Sequence, residues 1–227
     1  MCGILGLIQN HDFSISSSQF EKINMLNFHR GPDVQNTLSL NLSNYKVNLG
    51  HTRLSIQDLS EKANQPMKSY TGKYIISFNG EIYNHLALRK LLESKNFNQW
   101  NTNSDTETLL NLFEFYSFSE VLNIIEGMFS FILIDLNEKK IFFARDSAGE
   151  KPLYLCFNKL FICASSDLNA IKNIPGFKKN INKSVLSEYL KYNYIPSPYT
   201  IFENTFKLPP ASYIELDLKL YKFKEFK

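Results

Sequence analysis

Short apolar runs separated by turn signals constrain the fold of this chain more than any other feature of its sequence. Residues 4–8, 45–56 and 73–78 have strand character. Four more strand-like runs follow in the second half of the chain, and the turn residues between them predict an antiparallel meander: residues 129–136, 140–144, 152–157 and 160–164. Because predicted strands outnumber predicted helices and rarely alternate with them, we expect an α+β fold with antiparallel sheets rather than a doubly wound parallel sheet.

Helical signals are fewer and lie between the predicted strands. The serines at 16–18 precede apolar residues at helical spacing, and residues 86–92 have the same periodicity. Residues 104–107 read Ser-Asp-Thr-Glu, which has the S-x-x-E form of a capping box and predicts a helix beginning there. A last helix is predicted over residues 184–194.

The C-terminal stretch contains four prolines at positions 196, 198, 209 and 210, which favour a loop over regular structure. Residues 213–226 then have the pattern of a closing hairpin. We expect one domain over residues 1–227, in which residues 195–227 form a connecting segment and that hairpin.

The charge balance excludes several classes of protein. With 25 Lys and Arg against 22 Asp and Glu, the net charge of +3 leaves no electrostatic footprint for nucleic acid. The one basic run contains lysines 219, 222, 224 and 227 and is interpreted as the solvated face of an edge strand. The longest apolar stretches, such as residues 128–134, are far shorter than the roughly 20 residues that span a bilayer, and the N terminus has no signal peptide. These features predict a soluble cytoplasmic protein that binds neither nucleic acid nor membrane.

The three cysteines divide into two kinds. Their odd number and the lack of a C-x-x-C pair argue against a disulfide framework and a structural zinc site, so no metal is expected. Cys156 and Cys163 lie in apolar runs and are expected to be small buried side chains. Cys2 follows the initiator methionine, so removal of Met1 gives one residue a thiol and a free α-amine. Both groups are useful in amide chemistry, although a cysteine at position 2 also occurs by chance.

Three further positions have a chemical interpretation and a structural one. Asn79-Gly80 follows a predicted strand, where the amide side chain and the glycine N–H are donors for an oxyanion, but Asn-Gly is also a common hairpin turn. Arg53 suits a substrate carboxylate or a salt bridge. Asp105 suits a substrate ammonium, or simply stabilises the first turn of a helix.

Six motifs, taken in order, resemble the glutaminase half of glutamine-hydrolysing asparagine synthetases. The resemblance covers residues 2 to about 155, and the remainder is looser. Other class II amidotransferases share the cysteine and the Asn-Gly pair, but the residues after Arg53 and Gly80 favour the asparagine synthetase branch. The motifs are Cys2-Gly3-Ile4-Leu5-Gly6, His29-Arg30-Gly31-Pro32-Asp33, His51-x-Arg53-Leu54-Ser55-Ile56, Asn79-Gly80-Glu81-Ile82-Tyr83-Asn84, Ser104-Asp105-Thr106-Glu107 and Arg145-Asp146-x-x-Gly149-x-Lys151-Pro152-Leu153-Tyr154.

The resemblance implies an N-terminal-nucleophile hydrolase fold, in which two stacked antiparallel sheets are flanked by helices in an αββα arrangement. It implies that Cys2 attacks the side-chain amide of L-glutamine and forms a thioester, which water then hydrolyses to glutamate. The remaining roles follow from the same resemblance: Asn79 and the Gly80 N–H hold the oxyanion, Arg53 binds the glutamine carboxylate, Asp105 and the Glu81 backbone bind its ammonium, and Leu54, Ile56 and Gln57 line the pocket. The motifs at residues 30–33 and 145–154 are expected to be structural, as a turn, a buried ion pair or the face that meets a second domain.

The family's C-terminal synthetase half, which opens with a Ser-Gly-Gly-x-Asp-Ser phosphate loop, has no counterpart in residues 1–227. We expect a fragment, a truncated homologue or a stand-alone glutaminase, and ATP and Mg²⁺ only in the missing half, so that this chain itself needs no cofactor. The expected partners are L-glutamine and a synthetase domain or chain that receives ammonia, with a homodimer as a further expectation. Two alternatives stay open: a non-catalytic domain that binds glutamine or regulates, and a glutaminase that serves a different synthase.

Overall fold

Two six-stranded antiparallel sheets form the centre of the computed structural model, which describes residues 1–10, 13–220 and 222–226, the last five as backbone. The strands of the described chain are β1 (Gly3–Gln9), β2 (Val34–Leu42), β3 (Tyr45–Arg53), β4 (Met67–Lys68), β5 (Tyr74–Ile82), β6 (Gly127–Asp135), β7 (Lys140–Arg145), β8 (Tyr154–Phe157), β9 (Phe161–Ser165), β10 (Thr205–Lys207), β11 (Ser212–Asp217) and β12 (Lys222–Phe226). The first sheet has the order β10-β8-β9-β1-β3-β2, and the second has the order β12-β11-β7-β6-β5-β4.

Five α-helices of the described chain pack on the outer faces of the two sheets: α1 (Ser17–Asn24), α2 (His85–Ser94), α3 (Asp105–Phe115), α4 (Phe118–Ile124) and α5 (Leu168–Lys172). A sixth, α6 (Leu186–Tyr192), has no buried residue. Three hydrophobic clusters follow from this layering: one between the sheets, one between the second sheet and α2 to α4, and one between the first sheet and α1 and α5. The expected α+β architecture with helices on both sides of two stacked sheets is confirmed.

Strand β1 shows why the sequence specifies this layering. Its side chains alternate, so that Ile4 and Ile8 pack between the sheets while Leu5 and Leu7 pack under the outer helices. A strand that is apolar on both faces must be central, and β1 indeed pairs with both β3 and β9. Its first residue, Gly3, directly follows Cys2.

The predicted four-strand meander is wrong in its connection. Strands β6 and β7 pair in the second sheet, whereas β8 and β9 pair in the first. The chain therefore crosses from one sheet to the other through the turn that follows Arg145. Turn residues specify a local reversal of the backbone but not which sheet receives the next strand, so the sequence could not distinguish two hairpins from one meander.

The Asn79-Gly80 pair is not a hairpin turn. Strand β5 continues through both residues to Ile82 and stays in register with β6, where Asn79 lies opposite Ser130 and Gly80 opposite Phe129. Glycine is required here because a Cβ at position 80 would overlap the Met128 carbonyl oxygen. The pair therefore lies inside a strand, and the structural alternative to an oxyanion site is removed.

Five of the strands and α-helices had no counterpart in the sequence prediction: β2, β4, β10, α4 and α5. Strand β2 is a half-exposed edge strand of the first sheet, and its many polar residues obscure the alternation of apolar and polar side chains that identifies a strand. Helix α4 has only seven residues, but Ser117 and Glu120 form a complete capping box. Their S-x-x-E spacing is visible in the sequence and would have predicted the start of this helix. Helix α3 begins as predicted, with the Ser104 side chain accepting from the Glu107 N–H. Strands β11 and β12 pair as a hairpin, and the side chains of its basic run at residues 222–227 lie outside the described residues.

Core burial gives a stability prediction. Leu133 is fully buried beneath the helices of the second sheet, whereas Leu190 on α6 is 79% exposed. Leu133→Ala should lower the free energy of unfolding by about 2–5 kcal/mol, because it removes buried apolar surface and leaves a cavity. Leu190→Ala, the matched control, should stay within about 0.5 kcal/mol. Urea unfolding of both variants measures the difference, and equal losses would contradict the assigned layering.

Candidate active site

Cys2 lies at the entrance to β1, between the two sheets, and its thiol is half-buried. The Sγ atom is 3.5 Å from the Leu54 nitrogen, which donates to it, and 3.7 Å from the Leu54 carbonyl oxygen. Burial raises the pKa of the Cys2 thiol, and the Leu54 hydrogen bond and the nearby Arg53 charge only partly oppose this effect. The thiol therefore needs a base before it can act as a nucleophile.

A cavity beside the Cys2 thiol contains most of the side chains that the sequence singled out. It is bounded by β3 and the loop that follows it, by β5, and by the start of α3. The predicted residues that line it are Cys2, Arg53, Leu54, Ile56, Gln57, Gly80, Glu81 and Asp105. Four elements that are distant in sequence thus meet at one point.

The free edge of β5 forms one wall of this cavity. Strand β4 covers β5 only opposite Ile75 and Ile76, so the backbone groups from Phe78 onwards have no neighbouring strand on that side. The Phe78 N–H donates to the Gln65 Oε1 at 2.6 Å, and the Ile82 N–H donates to the Asp105 Oδ2 at 2.9 Å.

Gly80 lies between these two residues in an uninterrupted register with β6. Alternate residues of an antiparallel strand direct their N–H groups to the same side. The Gly80 N–H therefore points to the same edge as those of Phe78 and Ile82, and it faces the cavity.

Asn79 does not line the cavity, although the sequence predicted it as part of the site. It shares its face of β5 with Ser77, whose hydroxyl donates to the Gly50 carbonyl of the first sheet. The Asn79 side chain is buried, and its Nδ2 has no hydrogen-bond partner among the described residues. A buried amide donor without an acceptor costs free energy. A ligand that supplied an acceptor to the Asn79 Nδ2 would remove this cost.

Two side chains that the sequence analysis did not assign fix the backbone before Asn79. Gln65 accepts from the Phe78 N–H, as described, and its Nε2 donates to the Thr106 hydroxyl at 3.3 Å. The buried His51 of β3 donates from Nε2 to the Phe78 carbonyl oxygen at 3.1 Å and so joins the two sheets. His51 was visible within a motif, whereas Gln65 gave no signal because its role depends on the short length of β4.

The pKa of His51 is lowered to about 4, mainly by burial and also by the Arg53 charge, against the opposing effect of the Phe78 hydrogen bond. At neutral pH the ring is therefore uncharged. Its Nε2 must carry the proton, because a carbonyl oxygen only accepts hydrogen bonds.

Arg53 holds the loop that follows its own strand. Its Nη1 donates to the Ser60 carbonyl at 2.8 Å and to the Asn64 Oδ1 at 2.7 Å, and its Nη2 donates to the Asp58 carbonyl. No carboxylate lies within ion-pair distance of Arg53 among the described residues, so the salt-bridge alternative is not what the structure shows. Two of the five guanidinium N–H groups remain for a ligand.

Asp105 begins α3 and is buried. Burial raises the pKa of its carboxyl group, while the hydrogen bond from the Ile82 N–H lowers it. A buried carboxylate with no cation in ion-pair contact is a suitable site for a positively charged group of a ligand.

The backbone of Glu81 does not face the cavity, contrary to the expectation that it helps to bind an ammonium. The Tyr83 N–H donates to the Glu126 carbonyl, so odd-numbered residues of β5 turn their backbone towards β6. A Cβ on Gly127 would overlap the Glu81 carbonyl oxygen, which places that oxygen against β6. The Glu81 side chain instead accepts from the Gln57 Nε2 at 3.2 Å.

The motif at residues 145–154 has the expected structural role, as a turn that side-chain hydrogen bonds hold in place. The Asp146 carboxylate accepts from four backbone N–H groups, those of Phe129, Ala148, Glu150 and Lys151. Arg145 donates to three carbonyl oxygens, those of Gly149, Lys151 and Leu208. Together these bonds fix the crossing between the sheets.

Comparison with known proteins identifies the family. A family model described as a glutamine amidotransferase domain matches residues 1–227. The chain belongs to this family. It is 35% identical over its full length to a putative glutamine-hydrolysing asparagine synthetase 2 of Methanocaldococcus jannaschii, and it covers 46% of that protein. It is 34% identical, over 93% of its length, to the glutamine-hydrolysing asparagine synthetase 1 of Bacillus subtilis, of which it covers 33%. The amidotransferase chain thus spans a third to a half of these relatives.

Solved structures confirm the fold. The glutamine phosphoribosylpyrophosphate amidotransferase of B. subtilis matches the whole chain with a TM-score of 0.69 at 16% identity, over 49% of its own length. A structure described as the allosteric regulatory enzyme of purine biosynthesis matches with a TM-score of 0.71 at 15% identity, also over 49%. The expected N-terminal-nucleophile hydrolase fold of a class II amidotransferase is confirmed.

Metal clusters and membrane-spanning helices are both absent from the described residues. No group of three or more His, Cys, Asp or Glu side chains is placed to hold a metal ion. No helix in this part of the amidotransferase is both long enough and apolar enough to cross a bilayer.

The buried His51 predicts a pH dependence of stability. Its folded-state pKa of about 4 lies below the unfolded value near 6.5, so the unfolded chain binds the proton more readily. Stability should be fully present above pH 6.5 and should fall by roughly 3 kcal/mol as the pH drops through 4. NMR titration of the imidazole and urea unfolding at several pH values measure both effects. His51→Gln should flatten this part of the profile, and an unchanged slope would assign the loss to other groups.

Proposed function

We propose that this domain hydrolyses L-glutamine to glutamate and ammonia through a thioester on Cys2. The observation that carries the proposal is the meeting of the Cys2 thiol, the Gly80 N–H and the Asp105 carboxylate at one cavity. After removal of Met1 the α-amine of Cys2 takes the proton from the thiol, which attacks the amide carbon of glutamine. The same proton then goes to the departing ammonia, and water hydrolyses the thioester.

The oxyanion that forms in this attack needs donors that are already in place. The Gly80 N–H is the first candidate, because it faces the cavity. The neighbouring Asn79 Nδ2 is the second: its side chain does not line the cavity in this structure, but the donor is buried without a partner among the described residues and has to turn towards the ligand to serve. Gln65 and His51 hold the preceding peptide from both sides, so the Gly80 N–H does not have to reorganise during the reaction.

Glutamine also carries an α-carboxylate and an α-ammonium, and the cavity contains a partner for each. The two remaining N–H groups of Arg53 bind the carboxylate, and Asp105 binds the ammonium. On the register of β5, the Gly80 carbonyl is better placed than the Glu81 backbone to accept from the ammonium. Leu54, Ile56 and Gln57 enclose the ligand from the loop side.

The ammonia is proposed to amidate aspartate in a synthetase domain or chain, because the two relatives are named glutamine-hydrolysing asparagine synthetases. ATP and Mg²⁺ are expected to bind in that synthetase part. The reaction at Cys2 uses only groups of this chain and water. We place it in the cytoplasm, where aspartate and ATP are available, and we retain a homodimer as part of the proposal. A glutaminase that serves another synthase differs only in the acceptor of the ammonia.

Replacement of the nucleophile tests the chemistry. Cys2→Ala should lower glutamate release at least about 10³-fold, because no other thiol lines the cavity, while the thermal unfolding midpoint changes little. The matched control is Cys156→Ala, which removes a thiol on the other side of the first sheet and should keep activity. The intact mass of active protein should lack Met1.

An electrophilic glutamine analogue gives an independent readout. Peptide mapping should find the label on Cys2 alone, and glutamine should protect against it. Saturable glutamine binding without labelling or ammonia release would instead support the non-catalytic, glutamine-binding alternative.

The role of Asp105 is tested by comparing two substrates. Asp105→Asn should lower kcat/KM for glutamine by about 10–100-fold, since it removes a charge-assisted hydrogen bond to the ammonium. It should hardly change kcat/KM for glutaramic acid, which lacks the α-amino group. Asp167→Asn is the matched control, because Asp167 caps α5 away from the cavity and asparagine caps equally well. Equal losses for both substrates would exclude ammonium recognition by Asp105.

A further inference from the structure

Lys151 is a buried charged residue that the proposed reaction leaves without a role. It is 5% exposed, and no carboxylate lies within ion-pair distance of it among the described residues. The hydrogen-bond partner of its Nζ is the Met1 Sδ, at 3.3 Å. A thioether sulfur is a weak acceptor, so this contact does not account for the burial of an ammonium group.

The backbone of Lys151 is fixed on both sides, so its side chain is directed at the N terminus by a rigid turn. Its N–H donates to the Asp146 Oδ2 at 3.0 Å, and its carbonyl accepts from the Arg145 Nε at 2.8 Å. The Arg30 Nε donates to the Cys2 carbonyl at 3.2 Å, and the Arg30 Nη2 is buried with no partner in the described structure. Two cations therefore converge on residues 1 and 2.

Removal of Met1, which the proposed function requires, changes this environment. The sulfur leaves with Met1, so the Lys151 Nζ loses its hydrogen-bond partner, and the nitrogen of Cys2, to which Met1 was bonded, becomes an α-amino group. A neutral amine has a lone pair that accepts a hydrogen bond, whereas a protonated amine beside two cations is repelled. The neighbourhood thus favours the neutral amine.

We propose that Lys151, supported by Arg30, is a positioning residue that keeps the α-amino group of Cys2 unprotonated, and so able to accept a proton, at physiological pH. The inference rests on the proposed function, because it concerns the base of that reaction. Lys151 touches no substrate atom and acts only through the amine. An amine that stayed protonated at neutral pH would be unable to take the proton from the thiol.

The other charged groups around this site are already engaged in hydrogen bonds. The cavity contains one more cation, Arg53, which donates to the loop after β3, and His51 is neutral. Its three carboxylates are also occupied: Asp58 accepts from the Ser60 and Asn103 N–H groups, Glu81 accepts from Gln57, and Asp105 accepts from the Ile82 N–H. Arg53 and Asp105 also act on Cys2 through their charges, with opposite signs. Arg30 and Lys151 are the two cations that contact residues 2 and 1 directly.

The test is a direct titration of the α-amino group in the full chain. Cys2→Ala protein is prepared without Met1, as verified by intact mass, and the rate of N-terminal acetylation is followed against pH by mass spectrometry. The alanine makes this measurement independent of glutaminase activity. The pKa of the amine should lie below the ordinary range of about 7.7–8.0. It should rise by about one unit on addition of Lys151→Met, and it should stay low on addition of Lys151→Arg or of Lys179→Met at an exposed position.

Two results would overturn the inference. One is an amine pKa in or above the ordinary range in the Cys2→Ala protein, which needs no variant of Lys151 to be folded. The other is an α-amine pKa in the Cys2→Ala, Lys151→Met protein that lies within about 0.2 units of the value in the Cys2→Ala protein. In protein that retains Cys2, the acidic limb of the pH profile of kcat/KM should shift with the pKa of the α-amine. A Cys2 protein that releases no glutamate would refute the proposed function while leaving the titration in Cys2→Ala decisive.

Discussion

The uncovered edge of β5 is the constraint on which the candidate site depends. Because β4 has only two residues, three successive outward N–H groups of β5 lack a neighbouring strand. A buried N–H without an acceptor is costly, and two of the three are satisfied by Gln65 and Asp105. The third, on Gly80, is left for whatever occupies the cavity. The short length of β4 thus leaves one backbone donor of β5 free to face the cavity.

The sandwich brings the remaining groups to that edge. Strand β1 is apolar on both faces and is therefore central in its sheet, which places Cys2 between the layers. His51 donates a hydrogen bond from β3 to the Phe78 carbonyl of β5, and its burial keeps it uncharged. Fold and site share this contact, since one of the hydrogen bonds between the sheets also holds the peptide before Asn79.

How much the sequence predicts depends on the range of the interactions involved. Cys2, Arg53 and Asp105 were found because each has a side chain with distinctive chemistry, and the structure brings them together. The Asn79-Gly80 pair was ambiguous, because only the pairing with β6 shows that it is not a turn. The sheet crossing after Arg145 and the role of Gln65 were missed, since both depend on partners that local patterns do not encode.

The guanidinium of Arg53 has a further consequence, because one group serves two purposes. Three of its N–H groups hold the loop at Asp58, Ser60 and Asn64, and the other two have no hydrogen-bond partner among the described residues. Loop order and ligand affinity are therefore thermodynamically linked through a single planar ion. By thermodynamic reciprocity, a contact that favours the ordered loop raises ligand affinity by the same factor by which the bound ligand favours the ordered loop. If Arg53 binds the ligand as proposed, a contact at the exposed Leu59, which is not among the residues that line the cavity, changes ligand affinity from outside it.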